Sequence, residues 1–237
     1  MKMNLRAGIL AAGRGERLRS HASPLKPLAI VGGETLIERV LKSMAEAGAS
    51  EVVVIINEDS EIVRDHVAKK KWPFALRWIV ETTPSSMHSF LRLVEVLASE
   101  GDDGPFLLST VDTVAGPNAY ADFMERARLE RAAMTLALTS PGDDEKPLLV
   151  RLATGESRIA AFGEGEYATA GVYAVRPLIL IEAEEARLDG IDALRKFLGR
   201  LLERGYPLAG IPISKSIDVD HPADIETAEA FLRSAQR

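Results

Sequence analysis

The chain has 237 residues and no cysteine, which excludes a disulfide framework, a thiolate zinc site and a cysteine nucleophile. Its 29 Lys and Arg against 35 Asp and Glu give a net charge of −6, which argues against a protein that coats nucleic acid. The sequence contains no apolar run of about 18 residues, so we expect no membrane span and, with cysteine absent, a cytoplasmic location.

Strands and helices alternate in the first half of the sequence. Continuous apolar runs predict strands over residues 5–11, 51–56, 76–80 and 105–109, and apolar positions at helical spacing predict helices over 34–48, 60–70 and 85–98. Strands that alternate with helices of this length require right-handed crossovers and a parallel sheet. The sequence therefore predicts an α/β fold, in which a doubly wound, mostly parallel sheet forms the middle of three layers.

The second half begins in the same way and then changes character. Between residues 148 and 175, short extended runs are broken by glycines, which predicts antiparallel strands or a hairpin laid against the sheet. We find no internal repeat and no low-complexity linker, so we expect one domain over residues 1–237. The other predicted elements are helices over 117–130, 178–186, 191–204 and 222–234, and strands over 134–138, 208–213 and 216–219.

Positive charge is concentrated at the start of this acidic chain. The first 30 residues contain six cations and one anion, a net charge of +5. A solvated basic loop and a pocket for a multiply charged anion both fit this pattern.

A glycine-containing segment, Leu10-Ala11-Ala12-Gly13-Arg14-Gly15, follows the first predicted strand. Open α/β sheets bind ligands beyond the carboxyl ends of their strands, and glycines there let backbone N–H groups approach phosphate oxygens. A dinucleotide-binding fingerprint would have a third glycine at Leu18, and a Walker A loop would have Gly-Lys-Ser/Thr; the sequence has neither.

A longer pattern fits better. Residues 8–18, 24–28 and 31–37 resemble the signature of the nucleotidyltransferases that make nucleotide sugars: LAAGxGxRL, a lysine in a proline-flanked loop, and a short glycine turn into a helix. The resemblance implies a Rossmann-like fold in which the backbone of residues 10–15 binds an NTP, Arg17 contacts the departing pyrophosphate and Lys26 bridges phosphates in the transition state. Two positions depart from the pattern: Glu16 replaces a common Thr or Ser, and Leu25 replaces a usual proline.

The resemblance also implies further nucleotide and metal contacts. Glu81, Ser85 and Ser86 fall in the segment that lines the nucleobase and α-phosphate, although Ser85 or Ser86 could equally serve as an ordinary helix N-cap. Asp112, after the strand at 105–109, is implied as a Mg²⁺ ligand, with a helix or turn cap as the alternative. The second ligand is Asp218 if Pro222 sets the register, and Asp220 if the cytidylyltransferase relatives set it.

The acceptor side departs further from the family. Residues 168–173 resemble the strand that contacts the acceptor, which implies contacts from Thr169 and Gly171; a glycine kept for packing is the alternative. Many hexose-1-phosphate members carry Glu-Lys before this strand, and the lysine is missing here. We therefore predict that Lys215 replaces it in binding the acceptor phosphate.

Together these features predict a Mg²⁺-dependent enzyme that transfers a nucleotide from an NTP to a sugar 1-phosphate. Residues 1–115 would bind the NTP and residues 116–237 the phosphorylated acceptor, in a monomer or small homo-oligomer without nucleic-acid or membrane partners. Two alternatives stay open: a cytidylyltransferase for a small phosphorylated alcohol such as phosphocholine or inositol phosphate, and a non-catalytic nucleotide-sugar sensor.

Overall fold

The computed structural model describes residues 4–13, 25–99, 101–142 and 147–235. The strands are β1 (Leu5–Ala11), β2 (Ile30–Val31), β3 (Glu34–Thr35), β4 (Ala49–Ile56), β5 (Ala75–Val80), β6 (Phe106–Thr110), β7 (Thr113–Ala115), β8 (Met134–Thr139), β9 (Leu149–Leu152), β10 (Ile159–Phe162), β11 (Tyr167–Val175), β12 (Leu208–Pro212) and β13 (Ser216–Asp218). The helices are α1 (Leu36–Glu46), α2 (Glu61–Val67), α3 (Ser86–Ala98), α4 (Ala119–Ala127), α5 (Ala183–Leu188), α6 (Leu194–Glu203) and α7 (Pro222–Ala235).

The main sheet has the order β10-β9-β11-β6-β1-β4-β5, and β8 pairs with both β11 and β12. Its centre is parallel, because β1 pairs in parallel with both β4 and β6, and β4 with β5. All their carboxyl ends therefore lie at one edge of the sheet, where the chain turns into the loops and helices that follow.

Helices cover both faces of the sheet, which confirms the three predicted layers. Along β4, Val52, Val54 and Ile56 pack into the core shared with α1, α2 and α4. The alternate residues Val53 and Ile55 pack into the core shared with α3, α5 and α6. Burial on both faces explains why this strand is a continuous β-branched run.

The antiparallel strands predicted over residues 148–175 form, but they extend the main sheet and do not lie against it. β9 pairs antiparallel with β10 and β11, and β11 pairs antiparallel with β6 and β8. A strand laid on a sheet would keep one face exposed, whereas β11 buries Val172 and Tyr173 in the cores on opposite faces. The β2–β3 hairpin and the short strand β7 were not predicted.

The C-terminal helix α7 packs in a small core of its own, with Val31, Leu36, Val219 and Ala228. At the start of α7, the Asp224 carboxylate accepts hydrogen bonds from the backbone N–H groups of Asp220, at 2.9 Å, and His221, at 2.6 Å. The helix therefore fixes the backbone that carries Asp220.

In the part of the chain that the structure describes, no helix is long and apolar enough to span a membrane.

Candidate active site

A cavity of about 910 Å³, here called the strand-end cavity, opens at the carboxyl ends of the parallel strands. The segments that follow β1, β4, β5 and β6, four neighbouring strands, contribute to its wall. Open α/β sheets bind ligands at this edge. Its lining comprises Leu10, Ala12, Gly13, Lys26, Asn57, Asp59, residues 82–86, Ser89, residues 110–112, Leu194 and Asp220.

Most of the predicted nucleotide contacts that the structure describes reach this cavity, namely Leu10, Ala12, Gly13, Ser85 and Ser86. A Cβ atom on Gly13 would meet no described heavy atom within 4 Å, so the loop leaves open space beside its backbone. The side chain of Ala11, in contrast, is buried in the core. Arg14, Gly15, Glu16 and Arg17 lie outside the described residues.

Glu81, like Ala11, is a predicted contact that the structure does not bring to the cavity wall. Its carboxylate accepts a hydrogen bond from Arg92 Nε at 3.1 Å, while residues 82–86 line the cavity. Asn57, which is not among the predicted contacts, lies beside the glycine loop and donates from Nδ2 to the Ala12 carbonyl at 3.1 Å. Its position directly after a predicted strand was the available signal.

The two serines at the start of α3 do not cap it with their hydroxyl groups. Ser85 is the N-cap residue, but it makes no side-chain capping bond, and its hydroxyl is 2.9 Å from His88 Nδ1. The Ser86 hydroxyl accepts a hydrogen bond from the Leu194 N–H at 3.2 Å, which ties the start of α3 to the start of α6.

Lys26 brings two of the predicted metal-binding carboxylates together. Its Nζ contacts Asp112 and lies 2.5 Å from Asp220 Oδ1. Burial lowers the pKa of Lys26, but the attraction of Asp112 and Asp220 outweighs it, so this pKa lies above its ordinary value. Leu25, where the family usually has proline, is buried in the core. The residue directly before Lys26 is therefore anchored in the protein.

The carboxylates of Asp112 and Asp218 differ in the direction in which their pKa values are shifted. Burial favours the neutral form of Asp112, but the neighbouring Lys26 ammonium outweighs burial and holds the pKa of Asp112 below its usual value. Asp218 has no such direct contact with Lys26, and burial together with the charge of Asp112 raises the pKa of Asp218 to about 7. Its Oδ1 atom accepts a hydrogen bond from Thr113 Oγ1 at 3.0 Å.

A second cavity of about 350 Å³, here called the bulge cavity, lies beside an irregular part of β11. It shares Ser86, Thr110, Asp112, Leu194 and Asp220 with the strand-end cavity. The rest of its lining comes from later in the chain: Leu148, Thr169, Gly171, Tyr173, Ala193, Arg195, Leu198, Asp218 and His221.

The predicted acceptor contacts Thr169 and Gly171 both line the bulge cavity, but Lys215 does not. Lys215 is exposed and belongs to the lining of neither cavity. Among the described residues, the arginine or lysine that lines the bulge cavity is Arg195, in the first turn of α6, and it was not predicted. No sequence signal marked it, because the predicted helix begins at residue 191 and Arg195 then lies beyond its first turn.

The carboxylates fit a divalent cation. The Lys26 ammonium shows that positive charge is accommodated between Asp112 and Asp220, and carboxylate oxygens are the ligands that Mg²⁺ prefers. Within the described ranges, no group of three His, Cys, Asp or Glu side chains could hold a metal by itself. An ion at this position would therefore depend on substrate and water oxygens as well, which is how proteins typically bind Mg²⁺.

Residues 7–178 match the family described as the MobA-like NTP transferase domain. The chain belongs to this family. The resemblance and the α/β fold predicted from the sequence are thereby confirmed.

Curated relatives of this NTP transferase domain have several activities. The chain is 28% identical over 181 residues to a mannose-1-phosphate guanyltransferase of Yarrowia lipolytica, and the match covers 73% of this chain and 49% of the relative. It is 29% identical over 240 residues to a bifunctional IPC transferase and DIPP synthase of Rubrobacter xylanophilus, covering 95% of this chain and 51% of the relative. The chain thus spans about half the length of these curated relatives.

Solved structures match this NTP transferase domain over nearly its whole length. The inositol-1-phosphate CTP transferase from T. maritima superimposes with a TM-score of 0.76 at 19% identity, covering 97% of this chain and 98% of that one. A UDP-glucose pyrophosphorylase complexed with UDP-glucose gives a TM-score of 0.77 at 14% identity, covering 99% and 100%. At such identities the likeness establishes the fold.

Proposed function

We propose that this NTP transferase moves a nucleotidyl group from an NTP to a phosphorylated small-molecule acceptor and releases pyrophosphate. One observation carries the proposal: Asp112 and Asp220 line both cavities, and Lys26 lies between them. An NTP in one cavity and an acceptor phosphate in the other would meet at these three side chains, so the charges needed for the transfer lie at the junction.

The strand-end cavity is the proposed NTP site. Its lining comes almost entirely from residues 10–112, and the lining of the bulge cavity comes largely from residues 148–221, which supports a nucleotide-binding half and an acceptor-binding half. The open backbone at Gly13 and the hydroxyls of Ser85 and Ser86 would contact the nucleotide. Arg17, outside the described residues, keeps the pyrophosphate role that the resemblance implies.

Mg²⁺ is the proposed metal, and Asp112 with Asp220 are its proposed ligands because both already contact one cation. Asp218, which lines the bulge cavity together with Asp112 and Asp220, is the alternative second ligand. When bound, the metal would polarise the phosphate oxygens and neutralise the charge that develops on them. Lys26 would add a second positive charge at the same phosphates, and phosphoryl-type transfer depends chiefly on such positioning and electrostatics.

The acceptor phosphate can attack without a general base. The second pKa of a phosphate monoester is about 6, so the group is largely a dianion at pH 7. One of its oxygens bonds to the α-phosphorus of the NTP, the bond from that phosphorus to the bridging oxygen breaks, and pyrophosphate leaves with the electron pair.

Arg195 is the proposed partner of the acceptor phosphate, in place of Lys215, because it alone of the described arginines and lysines lines the bulge cavity. A sugar 1-phosphate is the first candidate acceptor. A small phosphorylated alcohol is the second, and the polar side chains of Thr169, Asp218 and His221 offer hydrogen-bond partners to either class.

The test is release of pyrophosphate by the purified protein with Mg²⁺, each NTP and a panel of sugar 1-phosphates and small phosphorylated alcohols. We expect release with at least one pair, and a rise in the thermal unfolding midpoint with the matching NTP, because a ligand that binds the native state stabilises it. A midpoint shift without pyrophosphate from any acceptor would indicate a non-catalytic nucleotide sensor. No shift and no release would overturn the proposal.

A further inference from the structure

Two threonines lie beside the carboxylates: Thr110 is half-buried and lines both cavities, whereas Thr113 is buried and lines neither. The Oγ1 atoms of Thr110 and Thr113 are 2.8 Å apart, and Thr113 Oγ1 donates to Asp218 Oδ1 at 3.0 Å. Thr113 is only 2% exposed, so its hydroxyl has protein partners and little access to water. A valine would fill the same volume, and the hydroxyl therefore needs an explanation beyond packing.

The backbone brings Thr113 and Asp218 together but does not orient the carboxylate. In the antiparallel β7–β13 pair, Thr113 lies directly opposite Asp218, and the next residue, Val219, donates its N–H to the Asp112 carbonyl at 3.0 Å. These bonds fix the positions of the Cα atoms, whereas the Asp218 side chain can still rotate. The Thr113 hydroxyl selects one orientation by its hydrogen bond, as partners of metal-binding carboxylates commonly do.

Space for this hydroxyl depends on Gly171 in the neighbouring strand. The pairing of β11 with β8 changes register between Thr169 and Tyr173, and Gly171 lies in this bulge with φ of +68°. A Cβ atom on Gly171 would lie 2.2 Å from Thr113 Oγ1 and 2.7 Å from Thr110 Oγ1. Any other residue would therefore have to displace the hydroxyl pair as well as adopt an unfavourable backbone conformation.

We propose that Thr113 is a positioning residue for Asp218, and that Gly171 is required because it leaves room for the Thr113 hydroxyl. This inference rests on the proposed function and on its alternative for the second ligand, in which Asp218 holds the metal together with Asp112. It assigns Gly171 a role distinct from the acceptor contact that the sequence predicts, because the atoms that crowd it belong to the threonines and to Asp218.

The test uses Mn²⁺ as the probe, titrated into the protein with a saturating amount of the NTP that raises its thermal midpoint, and followed by the electron paramagnetic resonance of the free ion. T113A and T113S form a matched pair, since both lose the methyl group and only T113A loses the hydroxyl. We expect T113A to weaken Mn²⁺ binding about tenfold, because hydrogen-bond partners of metal ligands typically contribute 10- to 100-fold to affinity. T113S should stay within about threefold of the unmodified protein on the same scale.

Two further variants keep the result unambiguous. T113V preserves the shape of the side chain without the hydroxyl and should behave like T113A, while T135A, at a buried threonine of β8, should leave Mn²⁺ binding unchanged. Equal losses in T113A and T113S, or no loss in T113A, would overturn the inference. Pyrophosphate release by the unmodified protein is measured separately, so failure of the proposed function would be recognised independently of the Mn²⁺ result.

The role of Gly171 is tested by a double-mutant cycle. G171A should weaken Mn²⁺ binding strongly in the unmodified background and less in the T113A background, because the nearer of the two oxygens with which its Cβ collides is then absent. The backbone strain is the same in both backgrounds and cancels in the comparison. Equal effects in the two backgrounds would show that Gly171 does not act through Thr113.

Discussion

The strand-end cavity and the bulge cavity share one wall but are built in different ways. Each main segment of the strand-end cavity follows a strand of the parallel centre, so the sheet itself places residues such as Gly13, Asn57 and Asp112 at one edge. The bulge cavity is assembled from an irregular strand, the first turn of α6 and the connection between β13 and α7. A parallel sheet determines the position of the first cavity, whereas long-range packing determines the second.

The largest effect is expected where the two cavities meet. Asp112→Asn removes a proposed metal ligand that lines both of them and should lower pyrophosphate release by about a thousandfold, which is the size of losses seen when groups that stabilise a transition state are removed. Steady-state kinetics measure it. Asp122→Asn, on the exposed side of α4, is the control and should be as active as the unmodified protein.

Lys26 retains Asp220 as a partner in Asp112→Asn, so this variant should still fold, and its thermal midpoint checks this. If Asp112→Asn folds and keeps more than about a tenth of the rate of pyrophosphate release, Asp112 is not a ligand on which the reaction depends.

The next prediction separates the cavities. Arg195→Gln should raise the KM for the acceptor about 10- to 100-fold, because hydrogen bonds to charged groups contribute about 1.5–3 kcal/mol. The NTP-induced rise in thermal midpoint should not change, since Arg195 lines only the bulge cavity. The neighbouring Lys196→Gln is the matched control, as Lys196 lines neither cavity and pairs with Asp192. An unchanged acceptor KM in Arg195→Gln would locate the acceptor phosphate elsewhere.

Much of the fold and of the strand-end cavity was predictable from sequence, because the parallel sheet itself places the residues of this cavity. Hydrophobic periodicity identifies a parallel strand, and the residues that follow it along the chain are then known to lie at the binding edge, as Gly13 and Asp112 do. Lys26 was recognised only by resemblance, because no local pattern indicates that it reaches across to Asp220, 194 positions away.

The bulge cavity was harder to predict, because its residues approach each other through contacts that no local pattern encodes. The glycine of β11 was found, but the bulge that makes it necessary depends on the register with β8. Arg195 lies in a helix whose packing against α3 and the sheet brings it to the cavity, and Lys215 is only five residues from Asp220 yet faces solvent. Proximity in sequence misled the prediction there.

The connection between the cavities can be tested with two adjacent serines. Ser86 lines both cavities and accepts the hydrogen bond from the Leu194 N–H of α6, while Ser85 lines only the strand-end cavity. Ser86→Ala should therefore raise the KM for the NTP and for the acceptor, each by about three- to tenfold, the range of one hydrogen bond. Ser85→Ala should raise the KM for the NTP alone. Equal behaviour of the two variants would show that α3 does not couple the sites through Ser86.

The smallest expected effect concerns Lys215, and it tests whether the bulge cavity as observed is the whole acceptor site. Because Lys215 is exposed and outside both cavities, Lys215→Ala should change the acceptor KM by no more than about twofold, as surface substitutions usually do. The comparison with Arg195→Gln under the same conditions decides between the two cations. If Lys215→Ala instead matched Arg195→Gln, the segment before β13 would have to move toward the bulge cavity when the acceptor binds. The second cavity would then be completed by its substrate, in contrast to the first, which the sheet already holds open.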